Sequence, residues 1–375
     1  MNTAFPYRLY PNPEQEILIH KTLGCVRFIY NRMLANRQAI YAPCQDDKEA
    51  SEKQKYVLPV DLKKECAWLK DVASLALANA QRNVQTAYRN FFRDPSVGFP
   101  QFKSQHHDKK SLNTNNQGGT MRLIDSQTFR LPKLKDVRIR RHRPLSKNAV
   151  IKSATISQTP RGNCDVSVLV ECAASIQPVE PTTETVLGLD YSSPSLYVDS
   201  EGTPANYPQC YRQAEAQLKK AQRQLSHRKK GGQNREKQRL TVAKLHEKVA
   251  NPRQDFWPKL SRQIANTYIA GAREDLNMRG MAQQRFHMGK STHDNEFGMF
   301  KAFLAYRLAE PGKPLVVIDK WFPSRKRCRF CQHENKELTW ADRVGVCPHG
   351  GAELDRDENA AIHTQNEGCR MLDLA

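Results

Sequence analysis

The sequence contains no long apolar run and no secretion signal. None of the 375 residues lies in an apolar stretch of about eighteen or more, so we expect no membrane-spanning helix. The first residues, MNTAFPYRLYPNPEQE, lack the basic start and the apolar stretch of a signal peptide. The sequence therefore predicts a cytoplasmic protein, in which the ten cysteines are not expected to form a disulfide framework.

Acidic residues are scarce relative to basic ones. The chain has 59 lysines and arginines against 39 aspartates and glutamates, which gives a formal net charge of +20. Basic side chains gain affinity for nucleic acids by releasing condensed counterions from phosphates. The excess therefore favours a nucleic-acid partner. The alternative is a solvated basic surface, which would not need so one-sided an excess.

The sequence also lacks the fourth cysteine of a zinc ribbon. Three cysteines cluster: Cys328, Cys331 and Cys347. Gly350 stands where the fourth is due, and glycine offers no ligand atom. Structural zinc takes four Cys or His ligands, so His349 or His333 would be needed to complete a Cys₃His site. The other interpretation is that the zinc site has been lost.

The first half of the chain changes from helical to strand-like patterning. Asn12 and Pro13 form a helix-entry signal, and apolar residues at helical spacing then predict a helical module over 11–95. From 120 to 175, short alternating runs separated by turns predict a small antiparallel barrel or sheet. One of these runs carries arginines on both faces: Arg138, Arg140 and Arg141. It is interpreted as an edge strand over a phosphate backbone, or as an edge guarded by charge.

Residues 211–263 form a long basic helical region that is broken at KKGGQN. Fifteen lysines and arginines stand here against four acids. A solvated face is the usual reason for a charge run, but the dominance of one sign favours helices that face nucleic acid. The candidate contacts are Lys219, Lys220, Arg223, Arg228, Lys229 and Lys230. Pro252 and Pro258 are expected to kink or end the second helix.

Three acids stand out by position. Asp190 ends the buried-type strand 186–189, Glu274 ends a strand-like segment, and Asp357 begins the helical run DENAAIHTQNEG. Strands alternating with helices over 186–320 predict an α/β domain with a central sheet. Carboxylates that converge at strand ends would hold two Mg²⁺ ions for phosphodiester cleavage. For each acid alone, helix capping or an ordinary strand end is the simpler interpretation.

Several ordered segments resemble one protein family across nearly the whole chain. GLDYSSPSLYVDSEG, REDLNMRGM, KWFPSRKRCRFC and DRDENAAI resemble four signatures of the TnpB (OrfB) family of bacterial insertion sequences, relatives of the type V CRISPR effector nucleases. The N-terminal segment YRLYPNPEQE and the later segments YRNFFRD and GFPQFKS also resemble that family.

The resemblance implies a multidomain α/β protein built around an RNase H-like (RuvC) nuclease domain. A zinc ribbon is inserted in that domain. A small antiparallel β-barrel, the wedge domain, precedes the nuclease domain and has a helical recognition module inserted in it. The expected bounds are 1–10 and 96–180 for the wedge, 11–95 for the helical module, 181–324 and 353–375 for the nuclease domain, and 325–352 for the ribbon.

The resemblance also implies a function. A guide RNA from the end of the mobile element would pair with double-stranded target DNA, and the RuvC site would cut it. Asp190, Glu274 and Asp357 match the catalytic acids of the family, which leaves Asp355 as a supporting acid. The implied cofactors are two Mg²⁺ ions and a structural Zn²⁺. A nuclease-inactive RNA-guided repressor remains an alternative, as does a decayed copy, which Gly350 and the two prolines would suggest.

Overall fold

The chain forms two compact units. The structure is a computed structural model that describes residues 2–41, 56–105, 109–145, 148–172, 179–283, 288–339 and 342–374. The first unit is Met1–Ala174 and the second is Ser175–Ala375. The division falls beside the segment 175–185, which its proline and threonine content predicts to be a linker, although residues 173–178 lie outside the described residues. No helix in the described ranges is long and apolar enough to cross a membrane.

The first unit contains a seven-stranded antiparallel sheet with the order β2-β6-β7-β1-β5-β4-β3. Its strands are β1 (Asn2–Tyr10), β2 (Lys110–Asn115), β3 (Arg122–Leu123), β4 (Thr128–Leu131), β5 (Lys135–Arg140), β6 (Val150–Gln158) and β7 (Cys164–Glu171). In β7, valines at every second position are buried, as expected for a sheet with one core face. The strands predicted between 120 and 175 are confirmed. No pairing between β2 and β3 occurs in the described part of the chain, so closure into a barrel stays a prediction.

The arginine-rich strand β5 lies inside this sheet, between β1 and β4, so its interpretation as an edge strand is wrong. Val137 and Ile139 are buried, whereas Arg138 and Arg140 point to the exposed face. The alternation is therefore regular through Arg140. Arg141 lies beyond the end of the strand, so the arginines of β5 occupy one face only and the prediction of arginines on both faces is wrong.

Helices cover part of the same unit. They are α1 (Pro13–Tyr41), α2 (Pro59–Glu65) and α3 (Ser74–Arg93), with 3₁₀ turns at Ala67–Lys70 and Pro95–Val97. The predicted entry of α1 is confirmed, because Gln15 N donates to Asn12 Oδ1 (2.8 Å) while Asn12 N donates to Gln15 Oε1 (3.0 Å). Ile29 and Leu77 belong to a core that these helices share with the sheet.

The second unit is built around a four-stranded sheet with the order β11-β10-β8-β9. The strands are β8 (Val186–Ser192), β9 (Leu196–Asp199), β10 (Ala270–Glu274) and β11 (Leu315–Ile318). Strands β8, β10 and β11 are parallel, and β9 returns antiparallel to β8. Every residue of β8 is buried, because helices cover both faces of the sheet.

The described helices of this unit are α4 (Cys210–Ser226), α5 (Gln233–Thr267), α6 (Met278–Met281), α7 (Gly289–Asn295), α8 (Phe297–Ala309) and α9 (Arg356–Met371), with a 3₁₀ turn at Thr183–Thr185. A two-stranded hairpin, β12 (Val344–Val346) and β13 (Glu353–Asp355), precedes α9. The predicted break between the two basic helices is confirmed at residues 227–232.

Helix α5 continues through Pro252 and Pro258, so these prolines do not end the helix, and a kink at either of them stays a prediction. Arg253, beside the first proline, forms an ion pair with Glu296 at 2.6 Å. Trp257, beside the second, is completely buried. These tertiary contacts offset the loss of the backbone hydrogen bonds that the prolines cannot donate.

Helix α9 lies unusually close to the sheet because two glycines remove side chains from the contact. A Cβ on Gly188 would lie 2.7 Å from Gln365 N and would also clash with the carbonyl oxygen of Ala361. A Cβ on Gly368 would clash with Ala272 Cβ. Since Ala272 is the register partner of Gly188, both contacts lie on the same face of the sheet. Backbone packing against β8 and β10 thus fixes the position of α9.

Candidate active site

Asp190 and Glu274 lie side by side at the carboxyl end of the parallel strands. Arg273 is the register partner of Leu189. The next residues along the two parallel strands, Glu274 on β10 and Asp190 on β8, are therefore neighbours. Asp190 is two residues from Gly188, and Glu274 is two residues from Ala272, which places both carboxylates on the face covered by α9. Both acids are buried. The predicted strand end at Glu274 is confirmed, even though Gly271 and Arg273 lower its apolar content.

Asp357 reaches the same place from the first turn of α9. Ser192 Oγ, at the end of β8, donates to Asp357 Oδ2 at 3.3 Å. Asp355 is the N-cap of the helix, and its Oδ1 accepts hydrogen bonds from Asp357 N (2.9 Å) and Glu358 N (3.1 Å). Asp355 therefore fixes the start of the helix that carries Asp357.

Cationic and hydroxyl groups hold the three acids in place. Arg325 Nη2 donates to both carboxylate oxygens of Asp190, at 3.1 and 3.2 Å, and to the Tyr191 carbonyl at 3.2 Å. Ser324 Oγ donates a hydrogen bond to Glu274 Oε1. Arg356 Nη2 donates to Asp357 Oδ1 at 3.1 Å. The acid positions were predictable from the sequence. Of these supporting groups, Ser324 and Arg325 lie in the quoted segment KWFPSRKRCRFC and Arg356 lies in DRDENAAI, but no spacing rule identifies them.

Burial disfavours the ionised form of Asp190 unless a cation is near. Burial, together with the charges of Glu274 and Asp357, raises the pKa of Asp190 to about 7, although the charge and hydrogen bonds of Arg325 lower it. Burial lowers the pKa of Arg325, but the charges of these three acids outweigh it and raise that pKa above its ordinary value. A buried group of three carboxylates needs positive charge to remain ionised, and carboxylate oxygens are the ligands that Mg²⁺ prefers. The donor set therefore fits a divalent cation.

The three clustered cysteines also come together. The sulfur atoms of Cys328, Cys331 and Cys347 lie within 4.8 Å of one another, so this group could hold a metal ion. Cys331 Sγ and Cys347 Sγ are 3.4 Å apart. Hydrogen bonding from Gly350 N to Cys347 Sγ lowers the pKa of Cys347 to about 7, which favours the thiolate that a metal needs.

Gly350 faces this cluster, as the predicted spacing requires. A Cβ at that position would lie 3.9 Å from Cys331 Sγ. His333 and His349 stack on each other with ring centroids 5.7 Å apart. Neither histidine belongs to the cluster of ligand atoms, within the described ranges. The structure thus brings three of the four predicted zinc ligands together, and His349 as the fourth ligand stays a prediction.

The cysteine cluster is attached directly to the helix that carries Asp357. Arg329 N, in the first cysteine pair, donates to Asn359 Oδ1 (3.1 Å), and its guanidinium donates to Glu358 Oε1 (2.6 Å). Asn359 Nδ2 donates in turn to the Arg327 carbonyl at 2.7 Å. These hydrogen bonds connect the cysteine cluster to the first turn of α9. The conformation of the cluster therefore affects the position of Asp357, which lies in that turn.

The predicted nucleic-acid contacts lie on exposed surfaces of the separate units. In the second unit, six exposed basic residues occupy the end of α4 and the following turn: Lys219, Lys220, Arg223, Arg228, Lys229 and Lys230. Lys219 is paired with Glu215 at 2.8 Å. In the first unit, Arg138 and Arg140 are exposed on β5, and Arg141 is half-buried.

Profiles of known families match three segments of the chain. Residues 166–285 match OrfB_IS605, described as "Probable transposase". Residues 1–45 match HTH_OrfB_IS605, a helix-turn-helix domain, and residues 297–364 match the Cas12f1-like TNB domain. The last segment includes the cysteine cluster and Asp357.

Individual relatives extend the similarity over the full chain. A protein of Streptomyces pristinaespiralis named "Putative RNA-guided DNA endonuclease" is 34% identical over 96% of this chain and 87% of its own length. InsQ of Escherichia coli K12, which carries the same name, is 27% identical over 98% of this chain and 93% of its own length.

A solved structure has the same fold at low identity. The Cas12f1 chain in a cryo-EM complex with sgRNA and target DNA superposes with a TM-score of 0.59 at 10% identity, covering 98% of this chain and 99% of that one. The identity and coverage of the Streptomyces relative show that the chain belongs to the OrfB (TnpB) family of insertion-sequence proteins.

Proposed function

We propose that this protein is an RNA-guided DNA endonuclease whose RuvC-type site consists of Asp190, Glu274 and Asp357. The observation that carries the proposal is the convergence of these three acids, from two parallel strands and one helix, at one end of the sheet. Three buried carboxylates beside the half-buried Arg325 are not needed to cap a helix, and Asp355 already performs that task.

The three acids would hold Mg²⁺. When bound, Mg²⁺ supplies the charge that activates water and stabilises the leaving oxygen of a phosphodiester. Ser324 orients Glu274, and Ser192 orients Asp357, so the carboxylates are positioned before substrate arrives. Arg325 neutralises Asp190 in the absence of that charge.

The partners would be a guide RNA and double-stranded target DNA. Base pairing would select the target, while the protein binds the nucleic acids through charge and shape. The excess of basic residues on α4, on α5 and in the turn between them supplies such a surface in the second unit. We assign the cysteine cluster to structural zinc, because three cysteine sulfur atoms within 4.8 Å of one another suit that ion and the cluster supports the start of α9.

The test is reconstitution with the element's own RNA. The protein is co-expressed with RNA from the end of its element, and the purified complex is given plasmids that carry a matched target beside randomised flanking sequence. Reactions contain either Mg²⁺ or a chelator. Asp190→Ala and Glu274→Gln test the site. Asp275→Asn is the matched control, since Asp275 directly follows Glu274 but is exposed.

We expect cutting that needs Mg²⁺, the guide and both acids, with Asp275→Asn as active as the parent chain. Specific target binding without cutting in the parent chain would replace this proposal by the repressor function. Failure to bind either RNA or DNA would identify a decayed copy.

A further inference from the structure

The cysteine cluster has an open side that faces solvent. Gly350 is exposed, and a Cβ at that position would lie 3.9 Å from Cys331 Sγ. Cys331 is itself half-buried, whereas Cys328 and Cys347 are each only 4% exposed. A small solute can therefore reach the Cys331 sulfur from the side on which Gly350 offers no ligand atom.

Cys331 and Cys347 are free thiols whose sulfur atoms are in contact. Their Sγ atoms are 3.4 Å apart, and a disulfide bond would require the two sulfurs to approach each other by about 1.4 Å. Gly350 N donates to Cys347 Sγ at 3.4 Å, which keeps this sulfur beside that of Cys331. The pair is therefore close to the geometry that a bond between the two sulfurs needs.

The two cysteines lie on separate hydrogen-bonded turns. Gln332 N donates to the Cys328 carbonyl at 2.9 Å, which closes the turn that carries Cys331. In the second turn, Cys347 N donates to the Ala352 carbonyl at 2.8 Å. A disulfide would therefore join two turns that the backbone already holds in place.

We propose that Cys331 and Cys347 are a reversible oxidation site, at which a hydroperoxide converts the two thiols into a disulfide and expels the metal of the cluster. Structural zinc is bound through thiolates, so the disulfide and the metal exclude each other. Gly350 makes the site possible, because a fourth ligand at that position would cover the Cys331 sulfur. Disulfides in a reducing compartment are usually transient and redox-sensing, which agrees with the absence of a disulfide framework predicted from the sequence.

The reaction balances in two steps. The Cys331 thiolate attacks one oxygen of the hydroperoxide, the O–O bond breaks, and the leaving oxygen takes up a proton, so that Cys331 becomes a sulfenic acid. The Cys347 thiolate then attacks the Cys331 sulfur, the S–O bond breaks, and hydroxide leaves and is protonated to water. The two thiols together lose two electrons and two protons, and hydrogen peroxide is reduced to two molecules of water.

The cluster and the acid group border the same cavity, through which oxidation would affect the acids. This cavity of about 30 Å³ is lined by Cys347 together with Arg325 and Arg356. The two arginines donate to Asp190 and Asp357. Movement of the Cys347 sulfur and loss of the metal would change the packing around both arginines. The effect on cutting rests on the proposed function, whereas the disulfide itself does not.

Peptide mapping of the full-length chain tests the oxidation site. Zinc-loaded and metal-free protein are treated with hydrogen peroxide, free thiols are blocked with N-ethylmaleimide, and unreduced tryptic digests are analysed by mass spectrometry. Trypsin separates the three clustered cysteines, because it cleaves after Arg329 and Arg343. A chromophoric chelator records zinc release in parallel. Cys66→Ser is the matched control, because Cys66 is half-buried, like Cys331, but belongs to the first unit.

We expect a peptide pair joined through Cys331 and Cys347, with zinc released in step with the bond and with full reversal by a phosphine reductant. The pair should still form in Cys328→Ser and in the Cys66→Ser control. Zinc-loaded Gly350→Cys should oxidise about tenfold more slowly than the parent, because a fourth thiolate holds the metal on the sulfurs.

Two results overturn the proposal: a disulfide that joins Cys328 to either of the other two cysteines in the parent chain, or sulfinic acid at Cys331 without any disulfide. Equal oxidation rates in zinc-loaded Gly350→Cys and the parent would contradict the open side. In the guide-loaded complex, peroxide should abolish cutting, and the reductant with zinc should restore it. A parent complex that never cuts, but still forms the disulfide, would count against the nuclease assignment and leave the oxidation site standing.

Discussion

Arg325 places one guanidinium nitrogen within 3.2 Å of both carboxylate oxygens of Asp190, an acid with no exposed surface. The side chain of Arg325 is itself only 19% exposed. Removing two charges from water is costly, and their attraction repays this cost only with good geometry. The pair therefore makes the buried acid group tolerable without a metal, and at the proposed site it would link metal binding, pH and stability at one position.

The first prediction concerns the pH dependence of stability in chelator. Since the folded state raises the pKa of Asp190 from near 4 to about 7, the folded protein binds more protons than the unfolded chain between these values. Stability contributed by protonated Asp190 is thus lost as pH rises from about 4 to 7. Asp190→Asn should remove this loss and be more stable than the parent at pH 8, by at most about 4 kcal/mol.

Denaturant unfolding at pH 5 and pH 8 in chelator measures this difference. The advantage of Asp190→Asn should shrink at pH 5, and Mg²⁺ should stabilise the parent more at pH 8 than at pH 5. The exposed Asp275→Asn serves as control and should show neither effect. An advantage of Asp190→Asn that is equal at both pH values would contradict the assigned cause.

The second prediction is that Arg325 competes with metal for Asp190. Arg325→Ala should destabilise the chelated protein, since three buried acids lose their cation, and should bind Mn²⁺ about tenfold more tightly. Electron paramagnetic resonance of free Mn²⁺ measures the affinity. Arg325→Lys keeps the charge, and its Mn²⁺ affinity should lie between those of the parent and of Arg325→Ala. Unchanged Mn²⁺ affinity together with lost cutting would instead indicate that Arg325 acts on the substrate.

The positions of the three acids at strand ends and at a helix start could be predicted from local patterns, whereas their common role was implied by the family resemblance. The apolar run before Asp190 predicts a buried strand, and parallel strands end at the same edge of a sheet. The positions of Glu274 and Asp357 can be predicted in the same way once β10 and α9 are assigned. The N-cap at Asn12 is likewise a local pattern, and the structure confirms it.

Features set by distant contacts could not be predicted in this way. Arg325 is one of several basic residues before a cysteine pair, and its role depends on where that segment passes the end of β8. Pro252 is unfavourable inside a helix, yet the ion pairs that Arg253 forms with α7 and with the start of α8 stabilise the helix at this position. The sequence predicts that Arg141 belongs to β5, whereas the strand ends at Arg140. The end of a strand is the least predictable part of its pattern.

The third prediction tests the close packing of α9. Gly188→Ala places a methyl group against the backbone of α9, and neither partner is a flexible side chain. We expect a loss of about 1–3 kcal/mol in unfolding free energy and a larger loss of cutting, because Asp357 moves with the helix. Gly298→Ala is the matched control. Its Cβ meets nothing within 4 Å and should raise helix stability slightly. Equal stability of the two variants would contradict the packing argument.

The fourth prediction concerns the basic turn between α4 and α5. Replacing Lys229 and Lys230 with alanine should weaken nucleic-acid binding and reduce the slope of log affinity against log salt by up to about 1.8. Lys259→Ala is the control, because Lys259 is also exposed, on α5, but is paired with Asp255 at 2.6 Å. Filter binding from 50 to 300 mM salt measures both slopes. An unchanged slope in the double variant would show that this turn faces solvent.

The last prediction concerns the incomplete cysteine cluster. Because Gly350 faces Cys331 Sγ, Gly350→Cys should bring a fourth thiolate to the group and tighten zinc binding by tenfold or more in competition with a chromophoric chelator. If His349 supplies the fourth ligand in the parent chain, His349→Ala should lose zinc, and adding Gly350→Cys should restore it. Full zinc retention in His349→Ala would exclude that histidine. Since the cluster supports the first turn of α9, tighter zinc binding should also raise the thermal stability of the chain, and chelation should cancel the gain.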